Sequence, residues 1–166
     1  MLNVIGKAKE LKDDANYHKG RADRAGKDAS PEQVRKRLQK ALTNIQQAID
    51  LLLEAHNDAT DGGNYKKELK REIADCYGIM GGLYRRFALQ STSQEEARYY
   101  LMEAAKTYEL GLHYEVNDSY NLFNLVVVQI LLDRSYLKTG TAHIEDGIAK
   151  IQDQIKGTRR DQWWAW

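Results

Sequence analysis

The chain has 166 residues, with 25 Lys and Arg against 24 Asp and Glu. This length suits one domain with a hydrophobic core, and the balanced charge gives no global indication of a nucleic-acid or anionic-membrane partner. The lone Cys76 excludes an intrachain disulfide and fits a reducing, cytoplasmic setting. The longest apolar run, from Leu125 to Leu132, is too short to span a bilayer, so we expect no membrane association.

The first half of the chain predicts two long helices. The first covers about residues 2–25. The second has a clear start, because Ser30 can be its N-cap, Pro31 takes the first helical position, and Gln33 stands where a capping box has Glu or Gln. Leucine and isoleucine then recur at three and four residues until the turn at 61–63, which predicts one apolar stripe.

Three further helices follow the same logic. The third covers 65–89, and the fourth begins at a second capping box formed by Ser93 and Glu96. Asp118 with the preceding Asn caps the fifth, which is apolar nearly all round from Leu122 to Leu132. A helix of that kind is expected to be buried between neighbours.

The end of the chain predicts a sixth helix, about 142–157, and the first turn of a seventh over 161–166. Three tryptophans within four positions need a neighbour to cover them. We therefore expect a fragment of a longer protein, cut where the next hairpin begins; the alternative is a natural tail that docks its indoles on the sixth helix or on a partner. These are Trp163, Trp164 and Trp166.

The even-numbered predicted helices share an internal repeat. A small residue is followed by a large one at +4, and the pattern recurs from Ala48 to Ala97 and Gly147, at spacings of 49 and 50 residues. Small residues let a partner helix approach closely, and the large residue fills the groove. The odd-numbered helices carry Leu132, Tyr136 and Gly140 in one copy and Met80-Gly81 with Tyr84 in another.

These segments resemble the tetratricopeptide (TPR) pattern, in a degenerate form with a longer repeat. The resemblance implies an all-α fold, a right-handed superhelical stack of antiparallel hairpins with about six to seven helices. It places hairpins at about 2–56, 65–112 and 118–157 in a single domain over 1–166, with a further helix begun at 161–166.

A second resemblance concerns two helix starts. Residues 117–120 with Asn124, and Asp161 followed by Trp163, are similar to the long-helix repeats of bacterial conflict and signalling proteins. They are also similar to the TRAF-binding region of MAP kinase kinase kinases. This resemblance implies a regulatory interaction module beside an effector domain.

No residue pattern indicates catalysis, a cofactor or a metal. None of the four histidines suggests a strong helix-borne metal pair, since Glu109, four residues before His113, makes a common surface pair. Cys76 has no nearby base, so we expect a buried structural thiol. Gly78, Gly81 and Gly82 are not a phosphate loop, because no strand precedes them. We expect them to allow close packing against Ala97 and Ala104 of the fourth helix.

The predicted function is a non-catalytic protein–protein interaction or scaffold module of a signalling protein that binds a peptide, helix or domain on the concave face. For the buried amides of Asn121 and Asn124, an inter-helix hydrogen bond competes with a partner contact. The alternatives are self-association through the tryptophans and, less favoured, nucleic-acid binding through the basic N-terminal helices. The predicted partner-binding residues are Lys70, Asp75, Tyr77, Arg85, Asn121, Asn124, Gln129 and Arg134.

Overall fold

The computed structural model describes residues 3–24, 29–60 and 63–133, and these form five α-helices without a strand. The predicted sixth helix and the start of the seventh lie outside the described residues, as do Arg134 and the three tryptophans. The helices are α1 (Val4–Asp23), α2 (Pro31–Asp58), α3 (Asn64–Leu89), α4 (Gln94–Tyr114) and α5 (Ser119–Leu132).

Side-chain caps begin three of the helices at the predicted positions. The hydroxyl of Ser30 accepts from the backbone N–H of Gln33 at 3.2 Å, and that of Ser93 accepts from the N–H of Glu96 at 3.1 Å. Asp118 accepts from two N–H groups in the first turn of α5. Each cap satisfies donors that the helix itself cannot pair, which explains why short local patterns predicted these starts correctly.

Consecutive helices pack against each other, so that α1 pairs with α2, α2 with α3, α3 with α4, and α4 with α5. In addition, α3 contacts both α1 and α5, so the three odd-numbered helices adjoin along one side. Alternate helices meeting on one side is the arrangement of stacked helical hairpins. The main core lies among α1, α2 and α3, and it includes Leu38, Ile45, Leu52, Leu69, Ile73, Leu83 and Phe87.

Aromatic and charged side chains join α2 to α3 and α4. Phe87 stacks on Tyr100, with ring centroids 5.1 Å apart. Arg35 lies over both rings and donates to Glu96 at 2.6 Å and to the Tyr100 hydroxyl at 2.9 Å. These contacts cross from the first helix pair (α1 and α2) to the second (α3 and α4).

Candidate binding face on the odd-numbered helices

An ionic cluster joins α1 to α3. The amine of Lys12 donates to Glu72 at 2.8 Å and to Asp75 at 2.6 Å, and Lys9 lies 3.3 Å from Glu72. Burial alone would lower the pKa of Lys12, but its hydrogen bonds to the two carboxylates raise it above the usual value. Burial opposes ionisation of Glu72 too, yet the lysines bring its pKa below the ordinary range.

We expect the Lys12→Met variant to lose about 2 kcal/mol of unfolding free energy at pH 7, because it leaves Asp75 without its cation and Glu72 with Lys9 alone. Because the pKa of Glu72 is lowered in the folded state, its ionised carboxylate stabilises the fold above about pH 4.3. This stabilisation is lost as the pH falls through the folded-state pKa of Glu72. Urea titrations at pH 7 and at about pH 3.5 should show the difference from wild type shrinking in acid, unlike that of the exposed Lys36→Met control. A loss that is equal at both pH values would contradict this role.

A second ion pair joins the same helices nearer the C-terminal end of α1. Arg86 donates to Asp23 through Nε at 2.7 Å and Nη2 at 2.8 Å, while its Nη1 donates to the carbonyl of Gly82 at 3.1 Å. Lys19, on α1, has no ion-pair or hydrogen-bond partner among the described residues. Burial and the charge of Arg86 lower the pKa of Lys19.

Asn121 ties α5 to α3 from a fully buried position. Its Nδ2 donates to the carbonyl of Ala74 at 3.0 Å and to Asp118 at 2.7 Å. Glycines make room for this side chain, because a Cβ at Gly78 or Gly111 would lie 2.9 Å or 2.3 Å from its amide atoms. Asn121 therefore makes the inter-helix hydrogen bond that the sequence favoured, and it is not accessible to a partner.

Arg85 and Asn124 form the next link between α3 and α5. The guanidinium of Arg85 donates from Nη1 to Oδ1 of Asn124, and Nδ2 of Asn124 donates to the carbonyl of Tyr120 at 2.9 Å. Asn124 is only 7% exposed, whereas Arg85 is half-buried. The amide thus holds the arginine in place without neutralising its charge.

Two tyrosines lie against the glycines of α3. A Cβ at Gly81 would lie 2.6 Å from the ring of Tyr108, and one at Gly78 would lie 3.1 Å from the ring of Tyr120. The expected packing against Ala97 and Ala104 was wrong, since aromatic rings fill the space that these glycines leave. Small residues permit close approach, but they do not specify which neighbour makes it.

The hydroxyl of Tyr108 is buried and has no hydrogen-bond partner within the described chain. Burial raises the pKa of Tyr108 to about 12. The charge of Arg85 and the approach of its guanidinium to the hydroxyl partly oppose the shift, while the well-formed hydrogen bond of Arg85 is the one to Asn124. A buried polar atom without a partner typically costs about 1–3 kcal/mol. The unpaired hydroxyl therefore reduces the stability of the fold at the junction of α3, α4 and α5.

The predicted partner-binding residues divide into separate groups. Asp75, Arg85, Asn121 and Asn124 lie along the contacts of α3 with α1 and α5. Tyr77 instead stacks on Tyr114 of α4, with centroids 6.0 Å apart. The remaining described members lie on α3 and α5, where Lys70 is exposed and Gln129 is half-buried.

Several residues of this region were not among the predicted set. Lys12 and Arg86 bond to acids more than sixty residues away in the sequence, and no local pattern indicates such pairs. Tyr108 and Tyr120 could have been suggested by the three glycines of α3, which imply that a large side chain lies close by.

Two observations on the described residues concern metal binding and the reactivity of the cysteine. They contain no group of three or more His, Cys, Asp or Glu placed to hold a metal ion. Burial raises the pKa of the Cys76 thiol to about 12, which opposes formation of the reactive thiolate. Within the described part of the chain, no helix is both long and apolar enough to cross a bilayer.

Stacked helix pairs with adjoining odd-numbered helices define a TPR-like helical-repeat protein, the class that the sequence predicted. The family model described as Tetratricopeptide Repeats-Sensor matches residues 7–130, more than half of the chain, so the chain belongs to that family. At this level the protein is a protein–protein interaction module of a generally non-catalytic repeat class. No curated protein and no solved structure matches the chain.

Proposed function

We propose that the chain is a scaffold module of a signalling or regulatory protein, and that it binds a peptide, a helix or a partner domain on its odd-helix face. This face is the side on which α1, α3 and α5 adjoin, and its polar residues include Lys12, Glu72, Asp75, Arg85, Arg86 and Tyr120. A reducing, cytoplasmic compartment suits its buried free thiol.

The observation that carries the proposal is the fixed orientation of charged side chains on this face. Lys12, Arg85 and Arg86 are each held by hydrogen bonds to a neighbouring helix, and each keeps part of its surface exposed. Side chains that are already ordered lose less entropy when a partner binds. They therefore suit recognition better than freely moving surface lysines do.

The test compares two double variants that remove the same charge from different faces. Lys70→Gln with Arg85→Gln changes two predicted binding residues on α3, the middle helix of this face, whereas Lys40→Gln with Lys106→Gln changes exposed positions on α2 and α4. Proteins captured by immobilised wild-type chain are quantified by mass spectrometry, and the strongest is purified for a direct Kd measurement. We expect about tenfold weaker binding to the odd-face variant, a change of about 1.4 kcal/mol, and unchanged binding to the control.

Circular dichroism must show equal helix content in both double variants. Equal affinity for the two of them, or loss only in the α2 and α4 control, would refute the placement of the binding face.

A further inference from the structure

The charge of Arg85 is not compensated by any carboxylate of the described chain. Two other arginines form ion pairs with carboxylates: Arg35 pairs with Glu96, and Arg86 pairs with Asp23. Arg85 instead bonds to the neutral amide of Asn124. Because Nδ2 of Asn124 is anchored on the backbone, its oxygen is directed at the guanidinium. The fold therefore orients a half-buried positive charge and leaves it unneutralised.

Two tyrosine hydroxyls converge at Gly82, where the helix has no side chain, next to the guanidinium of Arg86. Burial raises the pKa of both phenols, and the charge of nearby Arg85 opposes that shift in each. A Cβ at Gly82 would lie 3.6 Å from Nη1 of Arg86, 3.7 Å from the hydroxyl of Tyr120 and 3.9 Å from the hydroxyl of Tyr108. The Tyr108 hydroxyl is buried and has no hydrogen-bond partner in the described chain, so its donor is available. Tyr120 is the outer member, with 45% of its surface exposed.

Acidic groups near this point are already engaged. Asp75 bonds to Lys12, Asp23 pairs with Arg86, and Asp118 caps α5. The remaining groups are donors: a guanidinium and two phenols. Donors of this kind match the oxygens of a carboxylate or a phosphoryl group, and a guanidinium can bind either through two parallel bonds.

We propose that Arg85, Tyr108 and Tyr120 form a binding site for a small oxyanion group, a carboxylate or a phosphoryl group, at the junction of α3, α4 and α5. Asn124 is the positioning residue for Arg85. The half-exposed side chain of Tyr120 turns outward to admit the ligand, which then accepts a hydrogen bond from the buried Tyr108 hydroxyl. The proposal deepens the proposed function by naming the chemistry of one contact, but its test needs no protein partner.

The direct test titrates the purified full chain with inorganic phosphate and, separately, with acetate, at an ionic strength held constant with sodium chloride. The probe is the Nε–H signal of Arg85 in nitrogen-15 NMR spectra, assigned by its loss in Arg85→Lys. We expect a saturable shift in the millimolar range with at least one of the two anions. Phosphate alone would identify a phosphoryl site, and acetate alone would identify a carboxylate site.

Variants separate this site from general charge attraction. Asn124→Asp supplies an internal carboxylate to Arg85 and should weaken anion binding at least about tenfold. Arg71→Gln makes the same change in net charge at an exposed position of α3 and should bind as wild type does. Tyr108→Phe should weaken binding several-fold without lowering the melting temperature, because the lost hydroxyl has no partner in the fold.

Absence of a saturable shift with either anion would overturn the proposal, and so would wild-type affinity in Asn124→Asp. Neither result bears on the partner-capture comparison, so failure of the anion site is distinguishable from failure of the proposed function.

Discussion

Replacing Gly81 with alanine is expected to lower the free energy of unfolding by about 2–3 kcal/mol, whereas the same change at Gly82 should leave it unchanged or raise it by up to about 1 kcal/mol. The two positions are adjacent in one helix, so helix propensity favours alanine equally at both. They differ in surroundings, since the new methyl group would lie 2.6 Å from the ring of Tyr108 at one position and at least 3.6 Å from any neighbour at the other.

The reason for the large effect at Gly81 is that Tyr108 has no room to move. Its side chain is fully buried between α3 and α5, where it packs with Ala104, Leu125 and Val128. Chemical denaturation of the Gly81→Ala and Gly82→Ala variants measures the difference in their free energies of unfolding. Equal stability of the two would mean that the ring can shift freely, and the close packing described for this junction would be wrong.

The second large effect is expected from Asn121→Asp, which should cost about 3 kcal/mol at pH 7. The new carboxylate would be buried, and it would stand where the present amide lies 2.7 Å from a carboxylate oxygen of Asp118. Two carboxylates so close cannot both ionise, so the folded state must keep a proton that the unfolded state loses above about pH 3.9. Stability should therefore fall progressively as the pH rises from about 4 to 7.

Asn124→Asp, three residues later on the same helix, provides the matched control. Its new carboxylate would face the guanidinium of Arg85, which should lower the carboxylate pKa in the folded state. The stabilising contribution is then present at pH 7 and is lost as the pH falls below about 3.9. Thermal melts across this range should give opposite pH trends for the two variants. Parallel trends would show that these amides do not have the different neighbours described here.

The local features of the fold were predictable because they depend on residues close in sequence. The cap at Ser93 needs only the N–H group three residues later. The contact of Lys12 with Asp75 instead depends on how two helix pairs stack, and neither residue indicates the other. Tyr77 shows the same limit: its position on α3 was predicted, but its contact with Tyr114 depends on where α4 ends.

The candidate site was predictable in part for the same reason. Asn121 and Asn124 are conspicuous because amides are unusual on so apolar a helix, and both make the inter-helix hydrogen bonds that their burial requires. Arg85 was identified, but its lack of an acidic partner is apparent only when α3 and α5 are placed together. Tyr108 was not among the predicted partner-binding residues, because its unpaired hydroxyl depends on three helices at once.

The ionic contacts between α1 and α3 affect how the stack holds together. In a linear array, each unit is stabilised chiefly by its neighbours, and the energy of their interface determines whether they unfold together. Part of this coupling is apolar, through α2 against α3, but part is the pairing of Lys12 and Arg86 with acids across the junction. Salt screens the ion pairs and so weakens the ionic contribution to this coupling, but it does not screen the apolar contacts. The docking of the first helix pair is therefore a step of assembly that ionic strength can adjust.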